Sequence, residues 1–74
     1  MKTERLIRMA NGIGDFFVAM PEAEEARRDL ALHIRRYWEP RMRRSLYQHL
    51  DAAQGAGLSE IVLQALRQYR AELA

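Results

Sequence analysis

The sequence predicts an all-α fold, a small bundle of about four short helices with a proline-containing helix–corner–helix at residues 37–41. Three observations predict it. Apolar residues recur at the three-and-four spacing of an amphipathic helix along most of the chain. No stretch carries the strict alternation of a half-buried strand, and no internal repeat is visible. The spacing breaks where proline or glycine intervenes, at Met20-Pro21, Glu39-Pro40 and Gln54-Gly55-Ala56-Gly57. The expected helices cover approximately residues 3–20, 22–38, 40–53 and 59–73, within a single helical domain of residues 1–74.

Thr3 is the expected cap of the first helix, with Glu4 next to it favouring the positive end of the dipole. Leu6, Met9, Ala10, Ile13, Phe16, Phe17 and Met20 share one face, while Arg5, Arg8, Asn11 and Asp15 take the other. Gly12 and Gly14 each cost roughly 1 kcal/mol of helix stability relative to alanine, which a helix tolerates where it bends or, the favoured reading, where another backbone packs close. They are not a dinucleotide fingerprint, because no strand precedes them and no third glycine follows.

Pro21 is expected to open the second helix. Its Glu22, Glu24 and Glu25 sit in the first turn and Arg35 and Arg36 in the last, matching the macrodipole at both ends. Ala23, Ala26, Leu30, Ile34 and Tyr37 form the inner face, with His33 and Trp38 at its margins. Pro40 then disfavours helical geometry at Glu39 while being comfortable at the first position of the next helix. In that third helix Met42, Leu46, Leu50 and Ala53 face inward with His49 beside them; Arg41 and Arg44 point outward and Arg43 lies at the edge. Gly55 is the expected left-handed cap. Ser59 is expected to cap the fourth helix, with Leu58 as its staple. Val62, Ala65, Leu66, Tyr69 and Leu73 make its inner face, and Ile61 and Leu63 widen it enough to predict a surface covered by another chain.

Composition narrows the function. A chain of 74 residues buries only about 60% of the surface it exposes when unfolded, so domains of this size often lean on partners. The absence of cysteine removes disulfides, thiolate metal sites and a cysteine nucleophile, and fits a reducing, cytoplasmic setting. The N-terminus threads charges through its apolar residues, unlike a secretory signal, and no run approaches the ~18 apolar residues of a membrane span. His33 and His49 lie on different helices near apolar faces and read as structural; Ser59 reads as a cap and Ser45 has no base beside it. No catalytic, cofactor-binding or metal-binding residue is expected, and the chain is not expected to be an enzyme by itself.

Interest therefore centres on residues 35–44, which hold five of the twelve basic residues and the single tryptophan. One reading is a solvated helix terminus whose arginines pair with Glu39 and Asp51. A second is docking on a carboxylate-rich protein surface, with Trp38 and Tyr37 as anchors, since Trp, Tyr and Arg are enriched at interface hot spots. A third is a small arginine-rich nucleic-acid binder, disfavoured by a net charge of only +2 and by the lack of an early Asn or Gln to read bases. Self-association through the fourth helix is compatible with the second.

Two segments carry a resemblance: Arg8-Met-Ala-Asn-Gly-Ile-Gly-Asp-Phe-Phe17 and His33-Ile-Arg-Arg-Tyr-Trp-Glu-Pro-Arg-Met-Arg43, supported by Gly57-Leu58 and Val62-Leu-Gln-Ala-Leu66. Together they resemble the delta subunit of soluble NAD-dependent formate dehydrogenases over about residues 3–67. Tyr37 and Glu39 are mild departures from a family elbow that often reads Phe-Trp-Asp-Pro-Arg-Met. The resemblance implies a non-catalytic accessory subunit that supports assembly or stability of the complex, most directly through the alpha subunit. In such complexes the alpha subunit carries bis-molybdopterin guanine dinucleotide and iron–sulfur clusters, beta carries FMN and the NAD site, and gamma carries a [2Fe–2S] cluster. The delta chain holds none of them. The docking corner would comprise Arg35, Tyr37, Trp38, Pro40, Arg41, Met42 and Arg43, with Phe16 and Phe17 supporting or joining it.

Overall fold

Each of the four longer helices follows an extended residue, and none has a side-chain cap bond among the described residues. In the computed structural model, which describes residues 2–74, α1 (Thr3–Phe17) follows an extended Lys2, α2 (Ala23–Tyr37) an extended Glu22, and α3 (Pro40–Ala53) an extended Glu39. α4 (Glu60–Gln68) follows an extended Ser59, and a short α5 (Arg70–Leu73) ends the chain. The fold is all-α, as the apolar periodicity predicts. Thr3 lies inside α1 instead of capping it.

The boundaries move where proline acts. α1 stops at Phe17, short of the expected residue 20, as Met20 N–H turns back onto the Phe17 carbonyl at 3.0 Å. Helical geometry at Met20 would crowd the Pro21 ring. Pro21 itself stays outside α2, with Glu22 as the cap, whereas Pro40 does occupy the first turn of α3. Gln54, at φ 57°, supplies the left-handed cap of α3 that was expected of Gly55. Gly55 also has positive φ, and a Cβ there would collide with the Leu63 side chain. The expected fourth helix breaks at Tyr69, which turns Leu73 back into the core.

α2 packs along α4 and against α1, α1 also touches α3 and α4, and α5 closes on α2 and α4. Leu6 and Ala10 from α1, Leu30 and Ile34 from α2, Leu46 and Leu50 from α3, and Val62 and Leu66 from α4 meet in one core. Ile61 and Leu63 pack against that core. The width they add to α4 is thus used inside the chain, and the exposed apolar surface lies elsewhere. Tyr37 and Ala23, expected inside, are exposed, and Ala31 takes an inner place on α2.

The two glycines of α1 differ. A Cβ on Gly14 would stand 2.9 Å from Val62 Cγ2 and 3.1 Å from Ile61 Cγ2, so this glycine lets α4 approach. A Cβ on Gly12 would meet nothing within 4 Å. Gly12→Ala is therefore expected to stabilise the fold by about 0.5–1 kcal/mol. Gly14→Ala should lose more than that gain, because the β-branched neighbours are stiff and overpacking costs about 1–3 kcal/mol. Paired urea denaturation curves would check the opposite signs.

Asn11 ties the same helix to the start of α4. Its Nδ2 donates to the Gly57 carbonyl at 2.9 Å, and its Oδ1 accepts the Ser59 N–H at 2.9 Å. Ser59 occupies the cap position but makes no side-chain cap bond; its buried Oγ has no partner among the described residues.

At the other end, Tyr47 donates to the Leu66 carbonyl at 2.6 Å, and Arg70 lies over the Tyr47 ring while gripping Asp51 with two bonds of 2.9 and 2.7 Å. Burial pushes the Tyr47 phenol up to about 12. The Tyr69 phenol is also raised, first by burial and then by the adjacent Glu24. A phenol with a folded pKa above its unfolded value stabilises the fold fully below the unfolded value, and that contribution is lost as pH rises through the folded one. Stability should therefore fall between about pH 10 and 12, by roughly 2 kcal/mol for Tyr47. Eleven of the twelve cations are arginines, which keep their charge over this range. Denaturation across that window, compared with Tyr47→Phe, would show a flatter profile for the variant.

Candidate partner-binding face

The residues expected at the corner divide into an interior set and a surface set. Trp38 is 5% exposed and Arg43 is 8% exposed, so little of either side chain reaches the surface, although Trp38 still lines a groove. Arg43 turns inward because its stem follows the buried face of α3 beside Leu46 and Tyr47. Its Nε donates to the Leu73 carbonyl at 3.0 Å, and its Nη1 donates to the Trp38 and Arg35 carbonyls at 2.8 and 3.3 Å. A single guanidinium thus binds the C-terminal end of α2 to that of α5, where the helix dipoles favour positive charge. Met42 is half-buried against the core, while Pro40 and Arg41 are exposed.

The surface set gathers across α1 and α2. Phe16 is 75% exposed and Tyr37 is 70% exposed. Phe16 meets Phe17 edge-on at 5.1 Å between ring centroids, Phe17 meets His33 at 6.0 Å, and His33 lies 4.8 Å from Tyr37. The four rings form a continuous ridge from the end of α1 to the end of α2. On one side lies a groove of about 580 Å³ lined by Met9, Gly12, Ile13, Phe16, Phe17, His33 and Trp38. On the other a groove of about 300 Å³ is lined by Phe17, Asp29, Leu32, His33, Arg36 and Tyr37. Leu32 then separates it from a third, of about 300 Å³, that reaches Arg28, Arg35, Tyr69 and Leu73.

Sequence reasoning named Phe16, Phe17 and Tyr37 but not the histidine that joins them, nor Leu32. The signal for Leu32 was present: it lies two residues from both Leu30 and Ile34, so a large apolar side chain stands on a charged helix face. The arginines at the corner do not pair as one reading expected. Among the described residues Asp51 is held by Arg70, and neither Glu39 nor Arg35, Arg36, Arg41 or Arg44 makes an ion pair.

The site is thus an exposed aromatic ridge flanked by grooves on a small helical scaffold. The protein-family model for the NADH-dependent formate dehydrogenase delta subunit, FdsD, matches residues 5–66, nearly the whole chain. The chain belongs to that family. Comparison with curated proteins and with solved structures gives no match. Among the described residues no helix is long and apolar enough to cross a membrane.

Proposed function

We propose that this chain is a non-catalytic accessory subunit of an NAD-dependent formate dehydrogenase, acting by protein contacts that support assembly or stability of the catalytic alpha subunit. The family match carries the reading. An exposed aromatic ridge on a 74-residue helical scaffold supports it, since large apolar side chains left at the surface of a small domain mark interaction sites. The alpha subunit, with its bis-molybdopterin guanine dinucleotide and iron–sulfur clusters, is the principal partner. Beta, with FMN and the NAD site, and gamma complete the complex in the cytoplasm.

The test is co-expression of the tagged chain with the other three subunits, capture through the tag, and assay of formate-dependent NAD reduction in the eluate. Recovery of the active complex, together with a lower yield of active alpha subunit when the chain is omitted, is the expected result. Full activity and cofactor content without the chain, and no recovery with it, would exclude the role. A nucleic-acid binder would instead show affinity falling steeply with salt.

A further inference from the structure

Phe16 and Tyr37 expose most of their rings, yet both belong to a ridge already stacked in place across two helices. Preset rings lose little conformational freedom on binding, which is the property of a hot spot. Arg36 borders one groove beside the ridge and Arg35 the next, and no carboxylate lies within 4.0 Å of either among the described residues. The corner adds Arg41 and Arg44, equally unpaired. We propose that this ridge docks an acidic, apolar-anchored surface of a formate dehydrogenase subunit, whose apolar side chains fill the grooves while its carboxylates meet Arg35 and Arg36. The inference rests on the accessory-subunit reading and says where that subunit makes its contact.

Charge selects the occupant. A second copy of this chain would bring the same unpaired arginines toward one another in a two-fold contact, which opposes self-association through this face. A polyphosphate, negative along its whole length, would run past Asp29 and Glu72 in the grooves and Asp15 next to Phe16. A folded surface can instead set single carboxylates at the guanidinium groups and apolar side chains beside the acids. An acidic protein surface satisfies both the rings and the guanidinium forks, which bind carboxylates with two parallel bonds.

Three variants of the full chain, measured against the complex assembled without it, test this. Phe16→Ser with Tyr37→Ser, and Arg35→Glu with Arg36→Glu, should keep the helical circular dichroism, because all four side chains are exposed. The glutamate pair lowers the thermal midpoint by setting negative charge at the C-terminal end of α2, so association is compared well below that midpoint. Each pair should weaken association by at least about tenfold. Arg36→Lys places an amine at the groove in a chain whose only other lysine is Lys2. Carbodiimide treatment should then join it to an aspartate or glutamate of a formate dehydrogenase subunit. If the wild-type chain binds and the variants bind equally well, the face is wrong while the accessory reading stands. If the wild-type chain fails to bind, both fall. Cross-links only to a second copy, or retention abolished by nuclease, would also overturn the proposal.

Discussion

Arg43→Met is expected to destabilise the fold by about 3 kcal/mol, whereas Arg41→Met should change stability by less than about 0.5 kcal/mol. The two residues are neighbours on one turn of α3 and read alike in the sequence. Arg41 is exposed, while Arg43 bonds the Leu73, Trp38 and Arg35 carbonyls. Bonds from a charged donor are worth about 1.5–3 kcal/mol each, and the longest of these contributes least. Against them stands the cost of burying a guanidinium with no carboxylate beside it. Two helix ends, three carbonyl oxygens and a residual 8% exposure reduce that cost, so the bonds win. Methionine fills the stem's volume, which isolates the polar loss from a cavity. A domain of 74 residues is stable by about 4–11 kcal/mol, so the loss is a large share. Urea midpoints read the difference directly, and equal losses for the two variants would refute the assigned role. Arg43→Lys should recover part of the loss only, since one ammonium cannot reproduce the rigid fork.

The contrast explains what could be read from the residues alone. Apolar periodicity and the two prolines locate four of the helices, because those signals are local and act through sterics and burial of a stripe. The long-range polar bonds are not local. Asn11 sits on the charged side of α1, and nothing near it in sequence says that it caps α4, 48 positions away from the Ser59 N–H that it accepts. Ser59 offered a simpler local cap, yet its Oγ is buried without making that bond. Arg43 fails for the same reason: an arginine at the edge of a stripe is normally solvated, and only the fold brings the Leu73 carbonyl of α5 to the Arg35 and Trp38 carbonyls at the end of α2. Tyr37 fails in the opposite direction. It follows the apolar spacing of α2, yet the helix ends there and the ring passes beyond the core onto the surface.

The segments that carry the family resemblance accordingly mix two duties. Asn11, Gly14, Trp38 and Arg43 hold the fold: a cap, a close approach, a buried corner and a clamp on two helix ends. Phe16, Tyr37 and Arg41 from the same segments remain at the surface. A variant can therefore abolish association either by unfolding the scaffold or by removing a contact, and only paired stability and binding measurements separate the two.

Trp38→Ala should show the first of those outcomes, with a loss of about 3–5 kcal/mol, the usual cost of truncating a large buried aromatic side chain. Trp38 sits at the elbow itself: its backbone is extended, at φ −92° and ψ 132°, its N–H still closes the last turn of α2 on Ile34, and its carbonyl accepts from Arg43. The ring also forms one wall of the groove beside Phe16. Its removal opens a cavity between the corner and α1 and leaves the aromatic ridge without support on that side. Association should fall as well, but in parallel with stability. Phe16→Ser should weaken association far more than stability, because that ring is three-quarters exposed and its ring–ring contact is the edge-on one with Phe17. The single tryptophan supplies the readout: shielded from soluble quenchers in the wild type, its emission should respond when a partner fills the groove. If emission is unchanged in a complex that forms normally, the partner does not cover the groove that Trp38 walls. Docking would then lie on the Arg36 side of the ridge.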